Sequence, residues 1–174
     1  MDNVIYIEDK LTNYGHRTYI NASQSDATIA FAVDFNTSRE ICTKKSTMLA
    51  DKTYIQVDVC SNIYMNIRQI AQQLKNCRKI NITGNGIMTL SKYGIPQEEC
   101  DQIVYNFLHT LITDYGCKFT EIRSGGQTGF DEAGIKAGLM LNLKTICCFP
   151  KGWRYCTLKG DVSNEESFKK RFIY

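Results

Sequence analysis

The chain has 174 residues, a formal net charge of +3, 43% hydrophobic residues and 22% charged residues. That is the length of about one domain of roughly 100–200 residues, and the composition is ordinary for a globular protein, which excludes a disordered chain. So mild a charge does not by itself imply the concentrated basic face of a DNA-binding domain, and nucleic acid is not an expected partner. Short runs rich in β-branched and apolar residues alternate with helical segments. In chain order they predict a strand over Thr28–Val33, a helix over Thr37–Leu49, a strand over Thr53–Val59 and a helix over about Tyr64–Asn76. A strand over Lys79–Thr83 and a long helix over about Pro96–Tyr115 follow. The long helix spaces Cys100, Ile103, Val104, Phe107, Leu108, Leu111 and Ile112 by threes and fours, with Pro96 at its start and Gly116 at its end. The series closes with a strand over Phe119–Arg123, a helix over Asp131–Leu141 and a strand over Thr145–Phe149. Phe168 and Phe172 pack a final helix inward, with Lys169, Lys170 and Arg171 outside.

Alternating strands and helices imply βαβ units and a mostly parallel sheet. The expected fold is a single α/β, Rossmann-like doubly wound domain over residues 1–174, with about five strands, no linker and no repeat. The longest apolar run, Ile29 to Val33, is far short of the roughly 20 residues a membrane helix needs. The start Met1-Asp2-Asn3 lacks the basic-then-apolar pattern of a secretion signal, so a cytoplasmic protein with no membrane contact is expected. None of the 8 cysteines (Cys42, Cys60, Cys77, Cys100, Cys117, Cys147, Cys148, Cys156) forms a C-x-x-C pair. They read as reduced thiols, a disulfide framework being the alternative. With His16 and His109 alone, there is no zinc-ligand spacing, and no metal or cofactor is expected.

In doubly wound sheets ligands bind beyond the carboxyl ends of the strands. The most informative loop there is Ser124-Gly125-Gly126-Gln127-Thr128-Gly129, between a strand and a helix. Its glycines allow close backbone approach and a helix start is an anion site, the alternative being a tight strand-to-helix turn without a ligand. The pattern is neither G-x-G-x-x-G nor a P-loop. Asp131 and Glu132, just beyond, complement the helix dipole, or Asp131 hydrogen-bonds a ribose hydroxyl. Gly84-Asn85-Gly86 is either a plain turn or a wall of the same pocket. Asp34, Asn36 and Thr37 follow the first predicted strand, and Asn36 or Thr37 is the N-cap of the next helix. Lys44 and Lys45 lie on a solvated face, or one of them reaches an anion. Lys151-Gly152-Trp153-Arg154 holds the single Trp between cations; it is a surface cap or a stacking platform for a base. No catalytic set is assembled in the sequence, although Asp26, Asp34, Asp131 and Glu132 are available acids.

Arg123 to Asp131, together with Phe149-Pro150-Lys151-Gly152-Trp153-Arg154, resembles the SLOG superfamily of Rossmann-like nucleotide-binding domains. The nearest branch includes proteins described as molybdenum-cofactor carriers, with S-G-G-Q-T-G-x-D followed by P-K-G-x-R. Arg17-Thr18-Tyr19-Ile20-Asn21 and Ser25-Asp26-Ala27-Thr28 resemble a later block of that branch but stand first here, as in a circular permutation. Such arrangements resemble proteins of phages and gut bacteria. The P-G-G-x-G-T-x-x-E motif of the phosphoribohydrolase branch is missing, and Asp34-Phe35-Asn36-Thr37 replaces the carrier branch's glycine pair.

The resemblance implies a small nucleotide-type ligand bound without catalysis, an ADP-ribose-like or cyclic-nucleotide immune signal. With no effector beside it, a phage protein of this kind would sequester the signal as an anti-defence device. A nucleotide N-glycosidase or phosphohydrolase, a molybdenum-cofactor carrier and a DNA-interaction module are the alternatives. SLOG domains commonly pair, and Ile5, Tyr6, Ile7, Phe172, Ile173 and Tyr174 add apolar surface near the termini, so a homodimer or higher homo-oligomer is expected.

Overall fold

The computed structural model of the chain describes residues 3–173. The residues Met1, Asp2 and Tyr174 named above lie outside them. In chain order the elements are β1 (Val4–Glu8), α1 (Tyr14–Ser23), β2 (Ala27–Ala32), α2 (Ser38–Leu49) and β3 (Thr53–Asp58). Then come α3 (Ile67–Gln73), β4 (Lys79–Gly84), α4 (Ile87–Ser91), α5 (Gln97–Thr113) and β5 (Glu121–Ser124). The last are α6 (Phe130–Met140), β6 (Lys144–Phe149), β7 (Arg154–Thr157), β8 (Gly160–Ser163) and α7 (Glu165–Lys170).

Six parallel strands form one sheet in the order β1-β6-β5-β4-β2-β3, and β7 and β8 make a separate antiparallel hairpin. The fold is therefore α/β and Rossmann-like, with six strands rather than about five. The sixth is β1, an edge strand whose Val4 is buried while Ile5 and Ile7 are exposed. Its one-sided burial leaves a weak signal in the sequence. Beyond this edge, Ile173 is exposed while Phe168 and Phe172 are buried against α7's own neighbours. All eight cysteines are free. Among the described residues no helix is long and apolar enough to cross a membrane.

The two faces of the sheet are chemically unlike. On one, Ile29 and Phe31 of β2, Ile80 and Ile82 of β4 and Ile122 of β5 pack against α3, α5 and the small-residue face of α6. Gly134 and Gly138 let α6 lie close, because a Cβ there would stand 2.6 Å from Ile82 and from Thr145. A smaller cluster joins Val4, Ile135, Cys147, Phe149, Tyr155, Phe168 and Phe172 near β6.

Alternate residues of the same strands, Thr28, Asn81, Thr83, Glu121 and Arg123, turn to the opposite face and are buried there. The helices over that face are α1 and α2, which pack on each other. Their buried sides are polar apart from Ala22: Arg17, Thr18 and Asn21 on α1, and Glu40, Thr43, Ser46 and Thr47 on α2. A polar layer of this kind explains why α1, which has no apolar stripe, escapes a periodicity reading.

Candidate anion-binding site

β2 has β3 on one side and β4 on the other, so its neighbours wind off in opposite directions. A crevice opens between the carboxyl ends of β2 and β4, the place where open α/β sheets hold ligands. Asn85 builds the floor. Its Oδ1 accepts from the Val33 and Asp34 N–H groups at 2.8 and 3.1 Å, and its Nδ2 donates to the Asp34 carbonyl at 2.9 Å. This side chain ties the two strand ends together while the chains diverge. Gly84 passes against the Phe31 carbonyl, where a Cβ would stand 1.9 Å away. Asp34 Oδ1 accepts from Asn36 N, and the Thr37 hydroxyl caps α2.

Two cavities flank Arg39 at this crevice. One, of about 200 Å³, lies between α1 and α2 and is lined by Tyr14, Arg17, Thr18, Glu40, Cys42, Thr43 and Thr83, with Ser38 and Arg39. The other, of about 230 Å³, is lined by Thr37, Ser38, Arg39, Gly86, Ile87, Met88, Thr89, Gln127, Thr128 and Cys156. Each alone is below the roughly 300–1,000 Å³ of a small-molecule site, and Ser38 and Arg39 stand in the walls of both.

Asp131 is the anchor. Its Oδ2 lies 3.2 Å from Arg17 Nη1 and 3.6 Å from Arg39 Nη2. Both guanidiniums also lie over the Tyr14 ring, at 5.5 and 5.7 Å from its centre. Gly125 makes the contact possible, since a Cβ there would stand 1.7 Å from Arg17 Nη1 and 2.6 Å from Asp131 Oδ2. Gly86 does the same for Arg39 Nη1 at 2.9 Å. Two of the blocks singled out in the sequence, Arg17–Asn21 and Arg123–Asp131, thus meet at one ion pair.

The polar groups here are not all satisfied. Both oxygens of Glu40, Oδ1 of Asp131 and Nε of Arg17 are buried without a hydrogen-bond partner. Other atoms in that condition, on Asn21, Tyr54, Glu121 and Arg123, belong to the same polar layer. Folded proteins pair the great majority of such groups. Burial pushes the Glu40 carboxyl up to about 7; the Asp131 carboxylate adds to the rise, and Arg39 and Arg17 oppose it.

The remaining residues of the glycine loop are engaged within the fold. Ser124 Oγ donates to the Ile82 carbonyl at 2.7 Å. The Gly126 carbonyl accepts from Arg171 Nη2 at 2.8 Å, and a Cβ on Gly126, whose φ is +70°, would stand 2.4 Å from Cys147 Sγ. Gln127 Oε1 accepts from Cys156 N at 2.6 Å, while its Nε2 donates to the Tyr14 hydroxyl at 3.3 Å. Thr128 Oγ1 donates to the Cys156 carbonyl. Gln97 Oε1 takes the Gly129 N–H at 2.6 Å, and the Asn85 carbonyl takes the Phe130 N–H at 3.2 Å. Amides at the start of α6 are thereby used internally, and the charged donors lining the first cavity are Arg17 and Arg39.

Several sequence candidates lie elsewhere. Lys44 is exposed on α2, and its neighbour Thr43 faces inward. Lys151 and Arg154 are exposed; Lys151 N donates to the Leu11 carbonyl and Arg154 Nη2 to the Thr12 carbonyl. Trp153 lines neither cavity. Its ring packs 4.5 Å from Phe149, 5.5 Å from Phe168 and 5.9 Å from Tyr6, centre to centre, with Lys169 over it. Asp26 accepts from the Arg78 and Lys79 amides at the amino-terminal edge of the sheet, and Glu132 pairs with Arg171 and Lys136. Exposed His16 pairs with buried Asp9 at 2.7 Å, and exposed His109 stacks on Tyr105. Among the described residues no group of three or more His, Cys, Asp or Glu is placed to hold a metal ion.

Tyr14, Arg39 and Glu40 carry no motif on their own, and a reading of loops passes over them. One signal was available: Thr37-Ser38-Arg39-Glu40 places a cation and an acid in the first turn after the first strand of the switch point. No family model, curated protein or solved structure matches the chain.

Proposed function

We propose that the protein binds a small phosphorylated, nucleotide-type ligand at the crevice between β2 and β4 and does not transform it. The observation that carries this reading is the set of buried, unpartnered polar atoms on Arg17 and Glu40, in the wall of a cavity with two guanidiniums, and on Asp131, which those guanidiniums contact. Guanidinium groups suit a phosphate, and carboxyl oxygens suit the hydroxyls of a ribose. An ADP-ribose-like or cyclic-nucleotide signal supplies both. On this reading the chain is a permuted SLOG-type domain that sequesters such a signal in the cytoplasm, as an anti-defence protein does. It works as a homodimer, for which the exposed Ile5 and Ile7 of edge strand β1 supply apolar surface.

A second reading, cleavage of a glycosidic or phosphate bond, draws on the two buried carboxyl groups of Glu40 and Asp131. Incubation with candidate nucleotides, heat release and mass spectrometry separates the two. Intact ligand returned at one equivalent per site supports binding. Altered ligand supports the enzyme, and no retention of any nucleotide refutes both.

A further inference from the structure

One acid in the cavity wall sits at odds with its sequence context. Thr37-Ser38-Arg39-Glu40 has the Thr-x-x-Glu spacing of a capping box, in which the glutamate reaches back to the N-cap amide. Thr37 does its half, its hydroxyl accepting from the Glu40 N–H at 3.3 Å. Glu40 does not reciprocate. Its side chain lines the cavity, is 1% exposed and has neither oxygen hydrogen-bonded.

Nor does Glu40 have a cation of its own. Arg17 from α1 and Arg39 from α2 are both drawn to Asp131 at the start of α6. Asp34, in the loop after β2, and Asp131 add negative charge around it, and Tyr54 of β3 also faces it. Burial, with Asp131 and Asp34 adding to it and Arg39 and Arg17 opposing it, raises its carboxyl to about 7. An ionised Glu40 adds its charge to those of Asp131 and Asp34 and offsets the two guanidiniums. Protonating Glu40 makes the cavity more attractive to an anion by one full charge, at a buried site where charge is poorly screened.

We propose that the cavity takes up its anionic ligand together with one proton, which passes from solvent to a carboxyl oxygen of Glu40. This rests on reading the cavity as an anion site. It makes ligand retention a function of pH near neutrality.

ADP-ribose and sulfate are suitable probes, since neither changes its charge between pH 6 and pH 8. Calorimetry in two buffers of different ionisation enthalpy counts the protons exchanged on binding. The expected result is uptake approaching one proton per ligand at pH 8, with a Kd about tenfold weaker there than at pH 6. Glu40→Gln should bind with a Kd that does not change across this range. Binding by the wild type with no proton uptake, or with release, overturns the inference and leaves the anion site standing; so does a Gln variant that keeps the full pH slope. Failure of both probes to bind at pH 6 removes the anion site and this inference with it. Infrared titration of the free wild-type protein tests the acid without ligand. A protonated carboxyl band that fades around pH 7 supports the proposal, and the lack of such a band at pH 6 refutes it.

Discussion

Glu40→Gln should change how stability depends on pH, and the size follows from the burial of this one carboxyl. In the folded chain it titrates at about 7, against a reference value of 4.5. The folded state therefore holds its proton more tightly than the unfolded state does. Stability from this group is fully present below about pH 4.5 and is lost as pH rises to about 7. At about 1.4 kcal/mol per pKa unit, the loss is roughly 3 kcal/mol over the whole window, of which roughly 2–3 kcal/mol falls between pH 5 and pH 8. That is a large share of the ~5–15 kcal/mol that holds a domain folded. Glutamine keeps the shape and cannot ionise, so the variant should lack this slope. Urea denaturation of both proteins at pH 5, 6, 7 and 8 measures it. The stability difference should move in the variant's favour with rising pH and level off above about pH 7. Two curves separated by a constant offset would refute the reasoning, because Glu40 would then titrate alike in the folded and unfolded chains.

Gly125→Ala should weaken binding of ADP-ribose at least tenfold in calorimetry, because a Cβ at 1.7 Å from Arg17 Nη1 forces the guanidinium off Asp131. Gly126→Val should act on the fold instead: with φ at +70° and Cys147 Sγ 2.4 Å from the new Cβ, a loss of about 2–4 kcal/mol in urea denaturation is expected. Trp153→Ala should cost about 2–4 kcal/mol of stability by opening the cluster of Tyr6, Phe149 and Phe168, with Kd for ADP-ribose changed less than threefold. A tenfold weaker Kd in that variant would return the ring to the ligand site. Light scattering at micromolar concentration should give twice the chain mass, and an Ile5→Lys, Ile7→Lys double variant should return it to one.

Much of this molecule was written in local pattern. Apolar runs of strand length with helical stripes between them dictate a parallel α/β sheet, because both faces of such a sheet must be covered. Pro96, Gly116 and Thr37 mark helix ends through backbone geometry that needs no distant partner. The glycine loop and Asp131 pointed to a candidate site at the carboxyl edge for the same reason. The composition of that site was decided only in three dimensions. Arg17 and Asp131 stand 114 residues apart in the chain, and no spacing rule connects them. Strand order brings β5 beside β4 and lays α1 against α2, and only then do a guanidinium, a carboxylate and a glycine become neighbours. Glu40 shows the same limit from the other side. Its local sequence is that of a helix cap, and an acid with water or an amide beside it is unremarkable. It becomes a proton-binding group because the polar layer between sheet and helices removes the water and sets Asp131 beside it. Burial and the sign of neighbouring charge are properties of the packed molecule, and no stretch of the chain contains them.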